Sequence, residues 1–383
     1  MTLHKLLYWP HLICGVLAGI LIFIMSITGV LLTYERQIIA WAETEFDSSV
    51  PAKGRALPID SLINMNSAAF GDGNLRAIKI ENRPDTPVVI RSNDYFYIDQ
   101  YTGENLGNGP VGVKEFMSDL RSLHRWLAME GESRATARIF TGAANLMFLF
   151  IVISGMYLWI PKVINWKNIK KILFFRKTKS SRARDFNWHN VLGIWSAIPL
   201  IVVVATATVF YYTWANNLVY ILAGEEPPVR GQPASAKDNP TFNQLVTFDS
   251  MFEKAKLQRE NWTSITMTYP ADTDKDVRFS VDIGNGGEPQ KKGDLYISRA
   301  NGEITDWQSF DDYSAGRQAR NYIRFLHTGE ALGIIGQTIA GLVSLFSTVM
   351  VWTGLALAYR KYLKPILKPK NKNHTDSDII TDP

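Results

Sequence analysis

The chain has 383 residues, a formal net charge of +5 and a sequence pI of about 9.0. Its single cysteine, Cys14, excludes an internal disulfide, a Cys-rich zinc site, an iron–sulfur cluster and a C-x-x-C-H haem attachment. The mean hydropathy of -0.06 averages very apolar runs with polar stretches. Basic residues concentrate beside the apolar runs, which argues for a membrane surface and against nucleic acid as partner.

The first run, PHLICGVLAGILIFIMSITGVLLTY, is apolar over roughly 22 residues, enough to cross a bilayer. It is too long for a signal-peptide core and no A-x-A site follows, so it predicts a retained helix over 11–34. Residues 35–138 follow as an α+β segment: a helix in IDSLINMNSAAF, strands in LRAIKIE, PVVIRS and YFYID, and a turn at QYTGE. A second span is predicted over 139–160, then a basic loop over 161–188 and a third span over 189–212. Residues 213–333 repeat the α+β pattern with DSMFEKAKLQ, SITMTY, VRFSVDI, DLYIS and the turn RANGE. Within them, 224–240 is Pro/Gly-rich and reads as a linker. A fourth span over 334–359 leads to a basic tail over 360–383. Excess Lys and Arg puts the 161–188 loop and both termini in the cytoplasm, with 35–138 and 213–333 on the other side.

The halves correspond. His11, Gly15, Thr28 and Tyr34 match His189, Gly193, Thr206 and Tyr212 at one offset. Tyr97, Ile98, Gly103 and Glu104 match Tyr296, Ile297, Gly302 and Glu303, each glycine supplying a positive φ after its strand. Ser154-Gly155 matches Thr353-Gly354, and Leu123-His124 matches Leu326-His327. The predicted fold is therefore a membrane protein of four transmembrane helices with two α+β outer domains, built as a parallel internal repeat.

Of six histidines, His4 and His374 fall in polar tails. The other four border spans as two pairs, His11 with His189 at the cytoplasmic level and His124 with His327 at the outer level. Each is followed four residues later by a small residue, Gly15, Gly193, Ala128 or Ala331, on the same helical face. Paired imidazoles with room for a flat macrocycle point to two non-covalent bis-histidine haems. A lone interfacial histidine is ordinarily a hydrogen-bonding anchor, so the weight lies on the pairing. Zinc or copper fits less well, because no carboxylate or thiol stands at ligand spacing. Arg121, Arg125, Arg134 and Arg138 around His124, and Arg317, Arg320 and Arg324 before His327, could meet propionates or snorkel at the interface.

On these motifs the chain resembles the PepSY-associated transmembrane-helix family. They are His11-x-x-x-Gly15 with Ile27-Thr28-Gly29, Leu123-His124-Arg125-Trp126-Leu127, Ser154-Gly155-Met156-Tyr157-Leu158-Trp159, Leu326-His327-Thr328-Gly329, and the turn Tyr97-Ile98-Asp99 with Thr102-Gly103. Ala207 and Ser298 depart from it in the second half, where the first has Gly29 and Asp99. Within the family the chain looks like the inner-membrane dihaem reductases of iron–siderophore complexes. The resemblance implies a bacterial inner membrane, outer domains of PepSY type in the periplasm and b-type haems ligated by the four histidines. It further implies iron release by reduction of siderophore-bound Fe(III), with a quinol or a cytoplasmic reductase as donor. The chain has no G-x-S-x-G, H-E-x-x-H or dinucleotide fingerprint, so no built-in nucleotide-dependent donor is predicted. Two other classes stay open: a haem-free interaction or peptidase-regulating module, and a siderophore transporter. Arg134, Arg138, Tyr101 and Trp307 are the outer-face substrate candidates.

Overall fold

A computed structural model describes residues 3–51, 54–70, 75–161, 163–228, 246–271 and 274–367. His374 and residues 229–240 of the Pro/Gly-rich stretch lie outside the described residues. The first half runs α1 (Leu3–Leu32), α2 (Glu35–Glu43), α3 (Ile59–Met65), α4 (Ser67–Phe70), β1 (Ala77–Glu81), β2 (Val88–Arg91), β3 (Tyr95–Ile98), α5 (Val111–Trp126) and α6 (Ser133–Trp159). The second runs α7 (Trp166–Leu173), α8 (Ser181–Tyr211), α9 (Thr213–Leu222), α10 (Phe248–Gln258), β4 (Ser264–Thr268), β5 (Asp276–Asp282), β6 (Lys292–Ser298), β7 (Ile304–Ser309), α11 (Ala315–Thr328) and α12 (Gly333–Ala358).

Among the described residues four helices are long and apolar enough to cross a membrane: α1, α6, α8 and the stretch Glu330–Leu367 that contains α12. Their outward faces are bare hydrocarbon, with Leu17 68 % and Ile198 72 % exposed, which only lipid tails accommodate. The chain is a multi-pass membrane protein. The spans close into a ring in which α1 and α8 each pack against both α6 and α12, so α1 and α8 stand diagonally across the centre. Polar side chains are paired within the seams. Ser26 and Ser347 share a hydrogen bond of 2.8 Å, and Asn145 Nδ2 donates to Thr208 Oγ1 at 2.9 Å.

The helices outrun the apolar runs. α8 begins at Ser181, where the Ser180 side chain accepts from the Ala183 N–H as an N-cap. The predicted loop over 161–188 therefore holds α7 and the first two turns of α8. His11 and His189 do not open their helices as expected but sit about two turns inside them. Hydropathy marks where lipid begins, whereas the helix continues through polar residues until a cap stops it.

The two outer segments are not separate domains. Their strands form one antiparallel sheet in the order β3-β2-β1-β4-β5-β6-β7. The joint is β1 against β4, from Ala77 opposite Thr268 to Glu81 opposite Ser264. Apart, each of these strands would present an open edge, and pairing removes both. One face of the sheet is apolar and shares a single core: Ile78, Ile90, Met251, Phe252, Met267 and Phe279 are buried together, under α3 and α10. The other face carries Lys79, Glu81, Ser264, Thr266 and Ser280, the alternation of a half-covered antiparallel sheet. The predicted turn glycines hold, with φ of 74° at Gly103 and 71° at Gly302. The β5–β6 turn rests on the bundle: a Cβ at Gly286 would stand 2.7 Å from Arg36 Nη1, and Arg36 pairs with Glu330 just before α12. The sheet thus lies over the end of the bundle where α1 stops.

Candidate functional site

All four span-bordering histidines are held in the same way, each by a hydroxyl on a neighbouring membrane helix. His11 Nδ1 lies 3.0 Å from Ser154 Oγ on α6, and His189 Nδ1 lies 3.2 Å from Thr353 Oγ1 on α12. His124, on α5, places Nδ1 2.9 Å from Thr28 Oγ1 on α1. His327, on α11, places Nδ1 3.2 Å from Thr206 Oγ1 on α8. Backbone carbonyls reinforce the contact, Met350 O at 3.0 Å from His189 and Val203 O at 2.8 Å from His327. The Ile151 and Met25 carbonyls stand in the same place beside His11 and His124.

The direction of these bonds follows from the hydroxyls. Each already donates to the carbonyl four residues back: Ser154 to Phe150 at 2.7 Å, Thr353 to Val349 at 2.9 Å, Thr28 to Ile24 at 2.6 Å and Thr206 to Val202 at 2.7 Å. A hydroxyl has one proton, so it accepts from the imidazole. Nδ1 must carry the hydrogen, and the lone pair is on Nε2. Among the described residues no protein group hydrogen-bonds to any of the four Nε2 atoms. This is how a second shell fixes the tautomer and aim of a ligating histidine.

The residue after the hydroxyl is small because the ring lies over it. A Cβ would stand 3.2 Å from His11 Cε1 at Gly155, 3.2 Å from His189 Cε1 at Gly354 and 3.7 Å from His124 Cε1 at Gly29. The small residues predicted at i+4 divide. Gly15 and Gly193 line a cavity beside His11 and His189. Ala128 and Ala331 do not share a helical face with His124 and His327. α5 stops at Trp126 and Leu127 and Ala128 turn left-handed, with φ of 53° and 58°, while α11 is ended by Gly329 at φ 78°.

The two pairs form two levels. His11 and Thr28 are both on α1, and His189 and Thr206 both on α8, with the same separation along each helix, about 25 Å of axial rise. At the level nearer the sheet, the His124 and His327 rings are 6.4 Å apart between centroids. At the far level, His11 and His189 both line a cavity of about 690 Å³, within the usual range for cofactor sites of roughly 300–1,000 Å³. Its walls are mainly apolar, with Ile22, Ile151, Leu200 and Val351. Arg182, Lys361, Tyr8 and Tyr362 also line it. Lys361 Nζ donates to Tyr8 Oη at 2.9 Å and has no carboxylate partner among the described residues. Trp159 lines the same cavity, and its indole N–H is buried without an acceptor among the described residues. His4, predicted as a tail residue, is exposed on the first turn of α1 and borders this cavity too.

The predicted arginines are not equivalent. Arg121 is paired with Glu35, so its charge is already met. Arg125 has no carboxylate among the described residues; its guanidinium lies 4.4 Å from the Trp126 ring centroid, with Arg134 at 4.6 Å from the same ring. Burial lowers the pKa of both Arg121 and Arg125, and Arg324 adds to the effect on each. Arg138 donates to the carbonyls of Phe210 and Tyr211 at the end of α8. Tyr101 donates to Pro84 O just after β3, while Trp307 sits on β7. These are opposite edges of the sheet, so the proposed outer-face set does not form one site.

Sequence reasoning noticed the Ser/Thr-Gly motifs but gave them no partner. Their regular placement one level away from a histidine was the available signal. The model of the PepSY-associated TM region family matches residues 8–361, which take in the four membrane helices, the sheet and all four paired histidines. A search of curated proteins gave no match. The chain belongs to the PepSY-associated TM region family.

Proposed function

We propose that the protein is a bacterial inner-membrane oxidoreductase with two b-type haems, one between His11 and His189 and one between His124 and His327, that carries electrons across the membrane to siderophore-bound Fe(III) and so releases iron. The observation that carries this reading is the fixed tautomer. Four Nδ1–H groups are committed to hydroxyls, leaving four Nε2 lone pairs grouped in twos. Among the described residues no cluster of three or more His, Cys, Asp or Glu could hold a metal ion. Paired imidazoles therefore suit a metal that brings its own equatorial donors. The far cavity suits the rest of such a group, with apolar walls for a macrocycle and Arg182, Lys361 and the Trp159 N–H for carboxylates. At the sheet-side level Arg125 and Arg324 are cations without a carboxylate partner among the described residues.

Bound haem would supply the reversible one-electron chemistry that side chains in the bundle lack. His11, His189, His124 and His327 would hold it, and the apolar walls would keep water from it. The positive-inside rule assigns the α7 side and both termini to the cytoplasm and the sheet to the periplasm. A quinol or cytoplasmic reductase then donates at the His11–His189 level, and the acceptor meets the His124–His327 level. Such a path needs no protein nucleophile or general base. The parallel repeat is supported by the four matching histidine–hydroxyl contacts.

Absorbance tests this. Protein made with haem available should be red, with bis-histidine b-type bands and about two haems per chain. His124→Ala should remove the sheet-side haem alone, and His11→Ala the other. A colourless preparation, or a His124→Ala variant that keeps both haems, would sink the reading.

A further inference from the structure

The segment that joins α6 to α8 carries charge of one sign. From Val163 to Ala183 it contains no Asp or Glu, while Lys167, Lys170, Lys171, Arg176, Lys177 and Lys179 follow one another closely. The nearest acid, Asp185, is buried and taken by Arg184 at 2.9 Å and Arg360 at 2.5 Å. None of Lys167, Lys170 and Lys171 has a carboxylate partner among the described residues. Lys171 Nζ donates to Asn168 Oδ1 at 3.1 Å, a neutral acceptor that leaves its charge unmet.

Within this segment α7 has two faces. Asn168, Ile169, Ile172 and Leu173 are half-buried, and the opposite face presents Trp166, Lys167, Lys170 and Lys171, all exposed. The helix packs on α8, and two α8 side chains fix it there. Asn187 Nδ2 donates to the carbonyls of Lys171 and Phe174, both at 3.3 Å, and Trp195 Nε1 donates to the Leu173 carbonyl at 3.0 Å. Asn187 and Trp195 bracket His189 in sequence, and Trp195 and Ile198 are exposed on the lipid-facing flank of α8. α7 is therefore held against the membrane-spanning part of the bundle, at the bilayer surface. Ile164 and Phe175 are exposed beside it. Lysines and a tryptophan on the open face of a helix at this depth suit the headgroup layer.

We propose that the open face of α7 binds an anionic phospholipid, with its phosphodiester among Lys167, Lys170 and Lys171 and its apolar part beside Trp166 and Ile164. The inference stands apart from the haem reading, since it needs only the membrane and this face. Unpaired lysines set the sign of the headgroup. A zwitterionic headgroup brings its own cation and meets like charge. A soluble anion satisfies the lysines but leaves Trp166 and Ile164 in water. An anionic lipid answers both the charge and the apolar surface.

Native mass spectrometry of the detergent-solubilised full chain, titrated with dioleoylphosphatidylglycerol or dioleoylphosphatidylcholine, reads the preference. The anionic lipid should bind at least about tenfold more tightly, given about fivefold for each lysine near a charged headgroup. Lys167→Gln, Lys170→Gln and Lys171→Gln together should bring the two lipids within about twofold of each other. Lys167→Arg, Lys170→Arg and Lys171→Arg together should keep the preference, because they keep the charge. Lys79→Gln, on the sheet, should leave it unchanged. Equal binding of the two lipids by wild type, or a preference that survives the three glutamines, would overturn the site. Loss of the preference in the arginine variant would overturn its electrostatic basis. Glycerophosphoglycerol, the headgroup without acyl chains, should not displace the lipid at equal concentration. If it does, the face belongs to a soluble phosphodiester and the lipid assignment fails. Binding of poly-glutamate without binding of phosphatidylglycerol would overturn it in favour of an acidic protein.

Discussion

At the residue scale the decisive pair is an imidazole and a hydroxyl. The histidines were legible because they border apolar runs in matched positions. Their hydroxyl partners were not, because each contact joins two helices far apart in the chain: His11 with Ser154, His124 with Thr28. No spacing rule within one helix reaches that far, and the i+4 rule fails at Ala128 and Ala331 because α5 and α11 end before them. Removing the hydroxyl separates orientation from ligation. Ser154→Ala leaves His11 its Nε2 and the Ile151 carbonyl but loses one acceptor for Nδ1–H. Loss of a second-shell partner typically weakens a metal site about 10–100-fold. We expect Ser154→Ala to weaken haem binding at the His11–His189 level about tenfold and to leave the other level spectrally intact, as read by haem titration of the apoprotein. Gly155→Val should act more severely, since its Cβ alone would already press on the His11 ring at 3.2 Å. Equal loss at both levels in Ser154→Ala would show that the hydroxyl serves the bundle as a whole.

At the element scale, the strands from β1 to β6 were readable from apolar alternation, because one face is core and the other polar. β7 was missed: in ITDWQS the alternation fails, as an edge strand with little burial allows. A helix pair shows what alternation cannot reveal. The N-termini of α3 and α10 meet, and their first-turn carboxylates cap each other's helix. Asp249 accepts from the N–H groups of Ile59 and Asp60, and Asp60 accepts from the Asp249 N–H at 2.9 Å. Burial, and the hydrogen bond to the Asp60 side chain, push the Asp249 carboxyl above the usual aspartate range. The folded chain thus holds this proton more tightly than the unfolded one. The Asp249 contribution is full below the ordinary aspartate pKa and is lost as pH rises through the raised value. The thermal midpoint of wild type should therefore fall more between about pH 4 and about pH 7 than that of Asp249→Asn, which cannot ionise. Asp249→Ala should cost about 1 kcal/mol near pH 4 through loss of the cap, and less as pH rises. Parallel pH profiles for wild type and Asp249→Asn would rule out the raised Asp249 carboxyl.

At the scale of the whole molecule, the sequence reads as two units and the protein folds as one sheet on one bundle. The likeness of the two halves explains the misreading, since each contains its own helix, strands and turn glycine, and nothing local marks which strand edges will meet. The join is a long-range choice: β1 and β4 each need a partner, and pairing them merges two thin cores into one that both α3 and α10 can cover. Met267 sits in that joint, fully buried, opposite Ile78 on the neighbouring strand. If the core is shared, damage on one side must be felt on the other. Met267→Ala should cost about 2–5 kcal/mol, the usual range for emptying a buried methionine site. Hydrogen exchange should then lose protection in β1 and β2, which belong to the first segment, as well as in β4 and β5. The bundle, packed by its own seams, should keep its protection and its spectrum. Exchange confined to β4–β7, with β1 and β2 as protected as in wild type, would mean that the two halves of the sheet open independently and that the joint is a contact between domains.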